Sequence, residues 1–214
     1  MTERLRLVLV GAGGHGSVVL AAARACGIDS IAVIDIDERR WGSRWNDLTI
    51  AQASDDDLHD FSHAELGALV TVGSTGPASS RPRIFANLLA QHFRLATIVH
   101  PSAIVDPSVN LGRGVFVAAG VIVNPNASIG DNVILNTGAV AEHDCLVEAH
   151  SHIAPGAILG GGVRVGMDCH VGIGAVVLPG IRVGDSSLVG AGAVVTRDVA
   201  SGSRVIGVPA KPFA

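Results

Sequence analysis

A cluster of polar residues between positions 136 and 152 has the side chains that proton transfer needs. It consists of Asn136, Glu142, His143, Asp144, His150 and His152. His143 stands between two acids, and a carboxylate hydrogen-bonded to one imidazole nitrogen fixes the tautomer and raises the basicity of the other nitrogen. A surface histidine placed by chance is the alternative for any one of them. Their concentration in one short stretch favours a general-base site around His143.

The cluster lies inside a six-residue repeat that runs without insertion from Ala103 to Asp198. Gly, Asn, Asp and Pro crowd the fourth to sixth positions of each hexad, where turns form. A fixed short period predicts a solenoid of short strands and corners, in which three hexads close one coil. The third position of every hexad is apolar and is expected to point inward: Val105, Leu111, Val117, Val123, Ile129, Leu135, Ala141, Val147, Ile153, Leu159, Val165, Val171, Val177, Val183, Val189 and Val195.

A β-sandwich with Val-rich strands is the alternative fold, but sandwich strands do not keep an uninterrupted period of six. Composition agrees with the solenoid, because only 3% of the residues are aromatic and 27 of 214 are glycine. Such a composition suits a thin prism filled by Val, Ile and Leu. The net charge of −4 argues against a nucleic-acid-binding surface.

A cytoplasmic location is expected. No stretch is apolar for long enough to span a membrane, and the segment MTERLRLVLVG has no long apolar run with a cleavage site. The cysteines Cys26, Cys145 and Cys169 are an odd count, and two of them fall on small first positions of hexads. We interpret those two as buried, reduced thiols.

A glycine-rich turn, GAGGHG at 11–16, precedes the repeat. The pattern predicts strands over 5–10 and 31–35 and a helix over 17–26, so the turn joins a strand to a helix and Asp35 ends the next strand. Glycines let the backbone approach a phosphate, a helix N-terminus offers free N–H groups, and an acid such as Asp35 accepts from a ribose hydroxyl. Further along, we predict strands over 68–72 and 94–99, a helix over 77–92, and a loop that holds Trp41 and Trp45.

Three interpretations of the glycine turn remain open. It is a strand–helix turn without a ligand, an NAD site, or a site for a nucleotide or nucleotide sugar. A full dinucleotide fold uses two mononucleotide-binding halves, and the part before the solenoid, about 97 residues long, fits one half. Length therefore favours a nucleotide or nucleotide sugar.

A zinc site on the solenoid is the other alternative for the histidines. The gamma-class carbonic anhydrases share this kind of repeat. Their zinc-binding histidines follow an H-x4-H spacing, with a third histidine from a neighbouring coil. The intervals from His143 to His150, His152 and His170 are 7, 2 and 18 residues in turn. Because that spacing is missing, we expect no metal.

The order of a nucleotide-type half-domain followed by hexads resembles the hexapeptide-repeat sugar acyltransferases, in particular the sialic acid O-acetyltransferase and bacillosamine N-acetyltransferase family. The resemblance covers nearly the whole chain. It implies a half-Rossmann-like α/β domain over residues 1–97 and an all-β, left-handed parallel β-helix over residues 98–214. The matching segments are GAGGHG at 11–16, Ile34–Asp37, Val72–Ser74, Ile98–Ala103, Ile134–Thr137, Glu142–Cys145 and GVPAK at 207–211.

Residue roles follow from the same resemblance. His143 would be the general base, Asp144 the acid that tunes it, and Asn136 a residue that holds the acceptor. Relatives often carry Glu at the position of Asp144, so the reach of the shorter Asp to the imidazole needs a test. Acetyl-CoA would contact His152, Gly161, Ile173 and Ala191. The nucleotide sugar would contact Gly13, Gly14, His15, Asp35, Ile36 and Gly73.

The resemblance implies a homotrimer, with each site between two subunits, that transfers acetyl directly from acetyl-CoA without a metal. The expected acceptor is the amine of a UDP- or dTDP-4-amino-4,6-dideoxy sugar used in surface glycan synthesis. Alternatives are O-acetylation of a sugar such as sialic acid, a non-catalytic nucleotide-sugar-binding protein, and an NAD-linked enzyme. Cys145 as an acylated nucleophile is also weighed, but its hexad position predicts a packed corner. An amine and a hydroxyl need the same base, so the sequence does not separate them.

Overall fold

The computed structural model describes residues 6–29, 31–52, 65, 67–76 and 80–213. Its N-terminal part is a five-stranded sheet with the order β3-β4-β2-β1-β5. All neighbours are parallel except β3 and β4, which form an antiparallel hairpin. The strands are β1 (Leu7–Val10), β2 (Ile31–Ile34), β3 (Arg44–Trp45), β4 (Leu48–Ala51) and β5 (Gly67–Val70). The helices are α1 (Gly14–Ala25), a 3₁₀ helix (Glu38–Arg40) and α2 (Arg81–Ala90).

The hairpin β3–β4 corrects the loop that we predicted around Trp41 and Trp45. Asn46 turns the chain between the two strands with a φ of 52°, a left-handed conformation that Asn tolerates better than most residues. Both strands are too short to give a clear alternating pattern. Tertiary packing identifies them instead, because Trp45 is buried in the core of the α/β part.

Helix α1 begins at Gly14, three residues before the predicted start. Gly16 lies inside the helix although glycine disfavours helices. A Cβ at Gly16 would lie 2.5 Å from the carbonyl oxygen of Gly11 and 3.1 Å from the ring of Trp45. Close packing therefore requires glycine at position 16. Because the helix begins at Gly14, His15 lies in its first turn.

The C-terminal elements of the α/β part also differ in extent from the prediction. Pro82 lies in the first turn of α2, where the backbone N–H groups have no partner within the helix, so its missing N–H costs nothing. Residues 77–79 of the predicted helix lie outside the described residues. The predicted strand over 94–99 reduces to a single bridge between Leu95 and Ala68 and the short strand Ile98–Val99.

The second part is the parallel β-solenoid that the hexads predicted, with strands of two residues, and one of three, repeated around three sheets. The eight-stranded sheet, which we call the domain-facing sheet, contains β6 (Ile98–Val99), β9 (Phe116–Val117), β12 (Ile134–Leu135), β15 (His152–Ile153), β18 (His170–Val171), β21 (Leu188–Val189), β23 (Arg204–Ile206) and β24 (Lys211–Pro212). The six-stranded sheet, called the aliphatic sheet, contains β7 (Ile104–Val105), β10 (Ile122–Val123), β13 (Val140–Ala141), β16 (Ile158–Leu159), β19 (Val176–Val177) and β22 (Val194–Val195). The five-stranded sheet, called the polar sheet, contains β8 (Asn110–Leu111), β11 (Ser128–Ile129), β14 (Leu146–Val147), β17 (Arg164–Val165) and β20 (Arg182–Val183).

Strand neighbours in the solenoid are 18 residues apart through most of its length, as the hexads require. Ile134 pairs with His152, and His152 pairs with His170. The third hexad positions fill the interior, and all but the first two, Val105 and Leu111, are buried. The fold class expected from the sequence is thus confirmed as a small α/β part followed by a β-solenoid.

The outward sides of the three sheets differ in character. The α/β part covers the domain-facing sheet, where Ile98, Phe116 and Ile134 are buried although they point away from the solenoid interior. The polar sheet presents mostly polar and charged side chains. The aliphatic sheet presents only aliphatic ones, and Ile104 is 66% exposed. This outward aliphatic column consists of Ile104, Ile122, Val140, Ile158, Val176 and Val194.

Arg81 joins the two parts of the chain from a fully buried position. Its Nη1 donates to the carbonyl oxygens of Val70 and Val72, and its Nη2 donates to the backbone oxygen and Oδ1 of Asn132 in the solenoid. Burial lowers the pKa of the guanidinium to about 9. The end of β5 is therefore hydrogen-bonded to the solenoid through one side chain.

We predict that Arg81→Leu lowers the free energy of unfolding by about 2–4 kcal/mol, because buried carbonyl acceptors lose their donor. Urea unfolding followed by tryptophan fluorescence measures this, since both tryptophans lie in the α/β part. Arg83→Leu is the matched control on the exposed side of α2. Equal stability of the two variants would contradict the assigned role of Arg81.

Candidate active site

His143 and Asp144 form a hydrogen-bonded pair at the corner that follows β13. His143 Nδ1 lies 2.8 Å from Asp144 Oδ2. A carboxylate only accepts, so Nδ1 carries the hydrogen and Nε2 keeps a free lone pair. The hydrogen bond from Asp144 raises the pKa of His143 above its usual value, and the imidazole is 62% exposed. Asp144 therefore reaches His143 despite its short side chain.

The backbone of Asp144 turns its carboxylate back onto the preceding residue. Its φ is 59°, in the left-handed region that Asp and Asn adopt more readily than most residues. Asn126, one coil earlier, donates to Asp144 Oδ1 at 3.3 Å. Hydrogen bonds from His143 and then Asn126 lower the pKa of Asp144, so the carboxylate stays ionised beside the imidazole.

Glu142, the other acid beside His143, has a different partner. Its Oε2 accepts from Asn124 Nδ2 at 2.9 Å. It contributes to the raised pKa of His143 only through longer-range charge. The structure therefore distinguishes two acids that the sequence places symmetrically around the histidine.

Gly161 lies directly against the free side of the imidazole. A Cβ built on Gly161 would be 2.5 Å from His143 Nε2 and 2.7 Å from Cε1. The coil also links the two corners, because Gly162 N–H donates to the carbonyl oxygen of His143. Only glycine leaves room for the imidazole in this position.

A second group of polar residues lies where the α/β part meets the solenoid. His152 is 7% exposed, its Nδ1 lies 2.6 Å from the carbonyl oxygen of Ser74, and its Nε2 lies 3.1 Å from Asn136 Nδ2. Burial lowers the pKa of His152 to about 4, so the ring is neutral near pH 7. The sequence predicted Asn136 and His152 as site residues, whereas Ser74 appeared only in the matching segment Val72–Ser74, without a role.

His15 packs beside this second group. Its ring makes an edge contact with Phe116 at 5.5 Å between centroids and lies 6.3 Å from the ring of His152. Burial lowers the pKa of His15 to about 3. Its buried Nε2 has no hydrogen-bond partner among the described residues. A neutral imidazole with an unused nitrogen is suited to contact a ligand.

The carboxyl ends of β1, β2 and β5 form an open edge, as expected for a nucleotide site in a parallel sheet. Gly13, Gly14 and Gly73 are exposed there, and Ile36 is 53% exposed. Gly73 also lies close to His15, because a Cβ on the glycine would be 3.4 Å from that of the histidine. The α/β part thus brings His15 together with the predicted glycines.

Asp35 lies at this edge but is already engaged within the protein. Its carboxylate accepts from the N–H groups of Ala12 and Asp37 at 2.9 and 3.0 Å, and from Arg40 Nη1 at 2.7 Å. Arg40 Nη2 also donates to the carbonyl oxygen of Ala12, and Trp41 Nε1 donates to that of Asp35. Asp35 therefore orders the glycine turn and the segment that follows β2. The sequence did not predict the hydrogen bonds that Arg40 and Trp41 make here.

The remaining predicted acetyl-CoA contacts lie on solenoid corners. Ile173 and Ala191 are exposed and occupy equivalent corners of successive coils after β18 and β21. Gly161 lies at a different corner, after β16. Strand β13 separates Asn136 from His143, so the two polar groups lie at opposite edges of the aliphatic sheet.

Cys145 is buried, and its thiol contacts the carbonyl oxygen of Gly160 at 3.2 Å. Burial raises its pKa to about 11. A thiol of this kind is a poor nucleophile near pH 7. This agrees with the packed corner that its hexad position predicted.

Comparisons with known proteins match both parts of the chain. Residues 6–88 match the family described as the PglD N-terminal domain, and residues 102–125 and 162–197 match the hexapeptide repeat of succinyl-transferase. A comparison with curated protein sequences finds no match.

Solved structures match over nearly the full length. One is a GDP-perosamine N-acetyl transferase from Caulobacter crescentus, a variant with one histidine replaced by alanine, in complex with CoA and GDP-perosamine. It is 38% identical, with a TM-score of 0.88, and the match covers 98% of this chain and 97% of that one. The acetyltransferase domain of PglB from Neisseria gonorrhoeae, in complex with acetyl coenzyme A, is 36% identical with a TM-score of 0.88, covering 99% and 100%.

The chain belongs to the hexapeptide-repeat sugar acetyltransferases. Membership confirms the family resemblance seen in the sequence. WeeI from Acinetobacter baumannii shares the fold at 22% identity and a TM-score of 0.85, with 97% of this chain and 99% of that one covered. Among the residues that the structure of the present chain describes, no group of three or more His, Cys, Asp or Glu side chains could hold a metal ion. None of its described helices is long and apolar enough to cross a membrane.

Some residues that hydrogen-bond to the polar cluster can be identified from the sequence, because they lie one coil, or 18 residues, before their partners. Asn126 precedes Asp144 by 18 residues, and Asn132 precedes His150 by the same interval. The 18-residue spacing therefore predicts such hydrogen-bonded pairs from the sequence alone. Ser74 and Arg81 have no such signal, because the docking of the α/β part on the solenoid determines their contacts.

We predict that Asp144→Asn lowers the pKa of His143 toward the ordinary value of a histidine side chain, because the neutral amide no longer stabilises the imidazolium. Asn also tolerates the left-handed backbone of this position. NMR titration of the histidine rings measures the pKa, with His143→Gln to assign the signal. Glu142→Gln is the matched control and should lower the pKa less. An equal effect of both variants would refute the pairing of His143 with Asp144.

Proposed function

We propose that the chain is an acetyl-CoA-dependent N-acetyltransferase that acts on the amino group of a nucleotide-activated amino sugar. The observation that carries this proposal is the exposed His143, with Nδ1–H on Asp144 and a free Nε2 beside Gly161. Relatives that match the chain from end to end were crystallised with CoA and GDP-perosamine or with acetyl coenzyme A.

In the proposed reaction, the sugar amine attacks the thioester carbonyl of acetyl-CoA directly. His143 Nε2 takes the proton from the amine as the C–N bond forms, and the thiolate of CoA leaves when the tetrahedral intermediate collapses. Asp144 stabilises the imidazolium that results. No residue needs to be acylated, since the thioester is already activated, and the buried Cys145 supports this direct route.

The N–H of Gly161 is the proposed donor to the oxyanion of the intermediate. It belongs to the residue that lies against His143 Nε2. The base would therefore take the amine proton while the neighbouring N–H donates to the oxygen of the same tetrahedral intermediate. Loss of one such donor typically costs about 10²–10³ in rate. The exposed Ile173 and Ala191 would contact the pantetheine arm along the solenoid.

The nucleotide sugar is proposed to bind in residues 1–97, with the acetyl-transfer residues in 98–214. Gly13, Gly14 and Gly73 offer an exposed glycine edge near the first turn of α1, where backbone N–H groups attract phosphate. Asp35 and Ile36 follow β2 at the same edge. His15 links this edge to the solenoid, and its unused Nε2 would face the sugar.

A homotrimer with shared sites is the proposed assembly. The aliphatic column on the outward side of the aliphatic sheet supports it, because a monomer gains nothing from exposing such a continuous apolar stripe. The column lies between the edge with Asn136 and the edge with His143. Packing of these sheets around a threefold axis would bring the His143 of one subunit to the Asn136 of its neighbour.

The proposed setting is the cytoplasm, which supplies both acetyl-CoA and nucleotide sugars, and the proposed role is in surface glycan synthesis. The free thiols Cys26, Cys145 and Cys169 agree with a reducing compartment. The acylated sugar nucleotide would then be consumed by glycosyl transfer.

We predict CoA thiol release with one of the UDP-, GDP- or dTDP-4-amino sugars, and a loss of about 10²–10⁴ in kcat for His143→Ala. His92→Asn is the matched control, because this exposed histidine has a left-handed φ of 61° that Asn tolerates. A full rate for His143→Ala would refute the proposed base. Turnover on free sialic acid alone would indicate an O-acetyltransferase. No turnover on any acceptor would favour a non-catalytic nucleotide-sugar-binding protein.

A second prediction concerns the space beside the base. Gly161→Ala should lose as much activity as His143→Ala while folding normally, because the added Cβ displaces an exposed imidazole and the backbone has no positive φ. The double variant should then lose no more than either single variant. Losses that multiply in the double variant would show that Gly161 acts independently of His143.

The assembly gives a third prediction. Ile104→Asp combined with Ile122→Asp should convert the trimer to monomers, because two paired positions of the aliphatic column become charged. Asn110→Asp with Ser128→Asp is the matched control, at paired outward positions of the polar sheet. Size-exclusion chromatography with light scattering measures the mass. A wild-type monomer, or an unchanged trimer in the Ile104–Ile122 variant, would contradict the proposed interface.

A further inference from the structure

Both ring nitrogens of His152 have partners, and together these partners select one tautomer. The carbonyl oxygen of Ser74, 2.6 Å from Nδ1, can only accept a hydrogen bond. Nδ1 therefore carries the hydrogen. The neutral ring then offers Nε2 as an acceptor, and Asn136 Nδ2 donates to it at 3.1 Å.

The carboxamide of Asn136 is fixed from its other side as well. The N–H of Thr137 donates to Asn136 Oδ1 at 2.8 Å, so the oxygen faces Thr137 and the nitrogen faces His152. Thr137 Oγ1 makes only a longer contact of 3.4 Å with the same oxygen. An amide oxygen has two lone pairs, so Oδ1 can still accept an N–H from an acceptor amine. A flipped carboxamide would lose both hydrogen bonds.

The Ser74 carbonyl is itself held in place. Arg81 Nη1 bonds the carbonyl oxygens of Val70 and Val72, immediately before Gly73 and Ser74, and Arg81 Nη2 bonds the solenoid. Ser74 is buried, and its hydroxyl donates to the carbonyl oxygen of Gly76. The segment that presents Ser74 to the histidine is therefore fixed relative to the solenoid.

We propose that His152 is a positioning residue: the Ser74 carbonyl sets its Nδ1–H tautomer, and its Nε2 orients the Asn136 carboxamide toward the acceptor amine. This inference rests on the proposed function. It differs from the expectation that His152 contacts acetyl-CoA, because neither ring nitrogen is left for the thioester. It also links the predicted sugar-binding residue Gly73, through its neighbour Ser74, to the residue that holds the acceptor.

Two amide substitutions separate the two hydrogen bonds of the histidine. The amide of His152→Gln overlaps the position of Nε2, so its oxygen can accept from Asn136 while the bond to Ser74 is lost. The amide of His152→Asn overlaps the position of Nδ1, so it can donate to Ser74 while the bond to Asn136 is lost. We expect His152→Asn to lower kcat about tenfold more than His152→Gln, with the KM for acetyl-CoA unchanged in both.

His170 provides the matched control. It is the register partner of His152 on the next coil, its ring lies 4.9 Å away, and its buried Nδ1 has no hydrogen-bond partner within the residues that the structure covers. His170→Asn and His170→Gln should therefore have equal kcat values. A ratio of about ten for His170 as well would show that the effect comes from packing, and it would overturn the proposal.

NMR of the wild-type protein provides a readout that is independent of activity. Long-range ¹⁵N correlation spectra should show His152 with a protonated Nδ1 and an unprotonated Nε2 between about pH 6 and 8. The opposite tautomer would overturn the proposal. So would a raised KM for acetyl-CoA with unchanged kcat in both His152 variants, because His152 would then be a cofactor contact.

The two proposals fail in distinguishable ways. If the wild type acetylates no amino sugar, the proposed function fails, while the tautomer still decides whether Ser74 and Asn136 are linked through His152. If the wild type is active and the Asn and Gln variants of His152 have equal kcat values, the positioning role fails alone. Circular dichroism confirms that each variant is folded before its kinetics are compared.

Discussion

The 18-residue register of the solenoid is the constraint on which the rest of the structure depends. Each apolar third position stacks on its equivalent one coil away, and the polar corners stack with the same offset. Arg113 thus meets Asp131, and Asn126 meets Asp144. A single inserted residue would move inward side chains outward and break these polar ladders together. The register therefore builds the core and supports the candidate base at the same time.

Burial determines which histidines can act as bases. His143 lies on an exposed corner beside a carboxylate, and the hydrogen bond to Asp144 raises its pKa. His152 and His15 lie where the α/β part covers the solenoid, and desolvation lowers their pKa values to about 4 and 3. One residue type thus supplies the proposed base at one edge and neutral, oriented rings at the other. The aliphatic column lies between the two edges, and its packing in the proposed trimer would bring the His143 edge of one subunit to the Asn136 edge of its neighbour.

The sequence predicted the solenoid well because its stabilising contacts are periodic. The hexads identified the inward positions and the pairing of coils, and the order of the two parts indicated the family. Prediction was weaker for the α/β part, where close packing decides the structure. Position 16 requires glycine although it lies inside a helix, because nothing larger fits between Gly11 and Trp45. Strands as short as Arg44–Trp45 leave no pattern, and the contacts of Arg81 and Ser74 depend on how the two parts dock.

In the proposed reaction, the α/β part and the solenoid hold the sugar nucleotide so that its amine reaches the free Nε2 of His143. A crystal structure of the wild-type protein with CoA and a nucleotide-4-amino sugar would locate this amine. We expect the amine nitrogen to lie about 2.6–3.2 Å from His143 Nε2. We also expect the sugar nucleotide to lie along the edge formed by Gly13, Gly14 and Gly73. An amine bound beside a different base, with His143 left in solvent, would refute this arrangement.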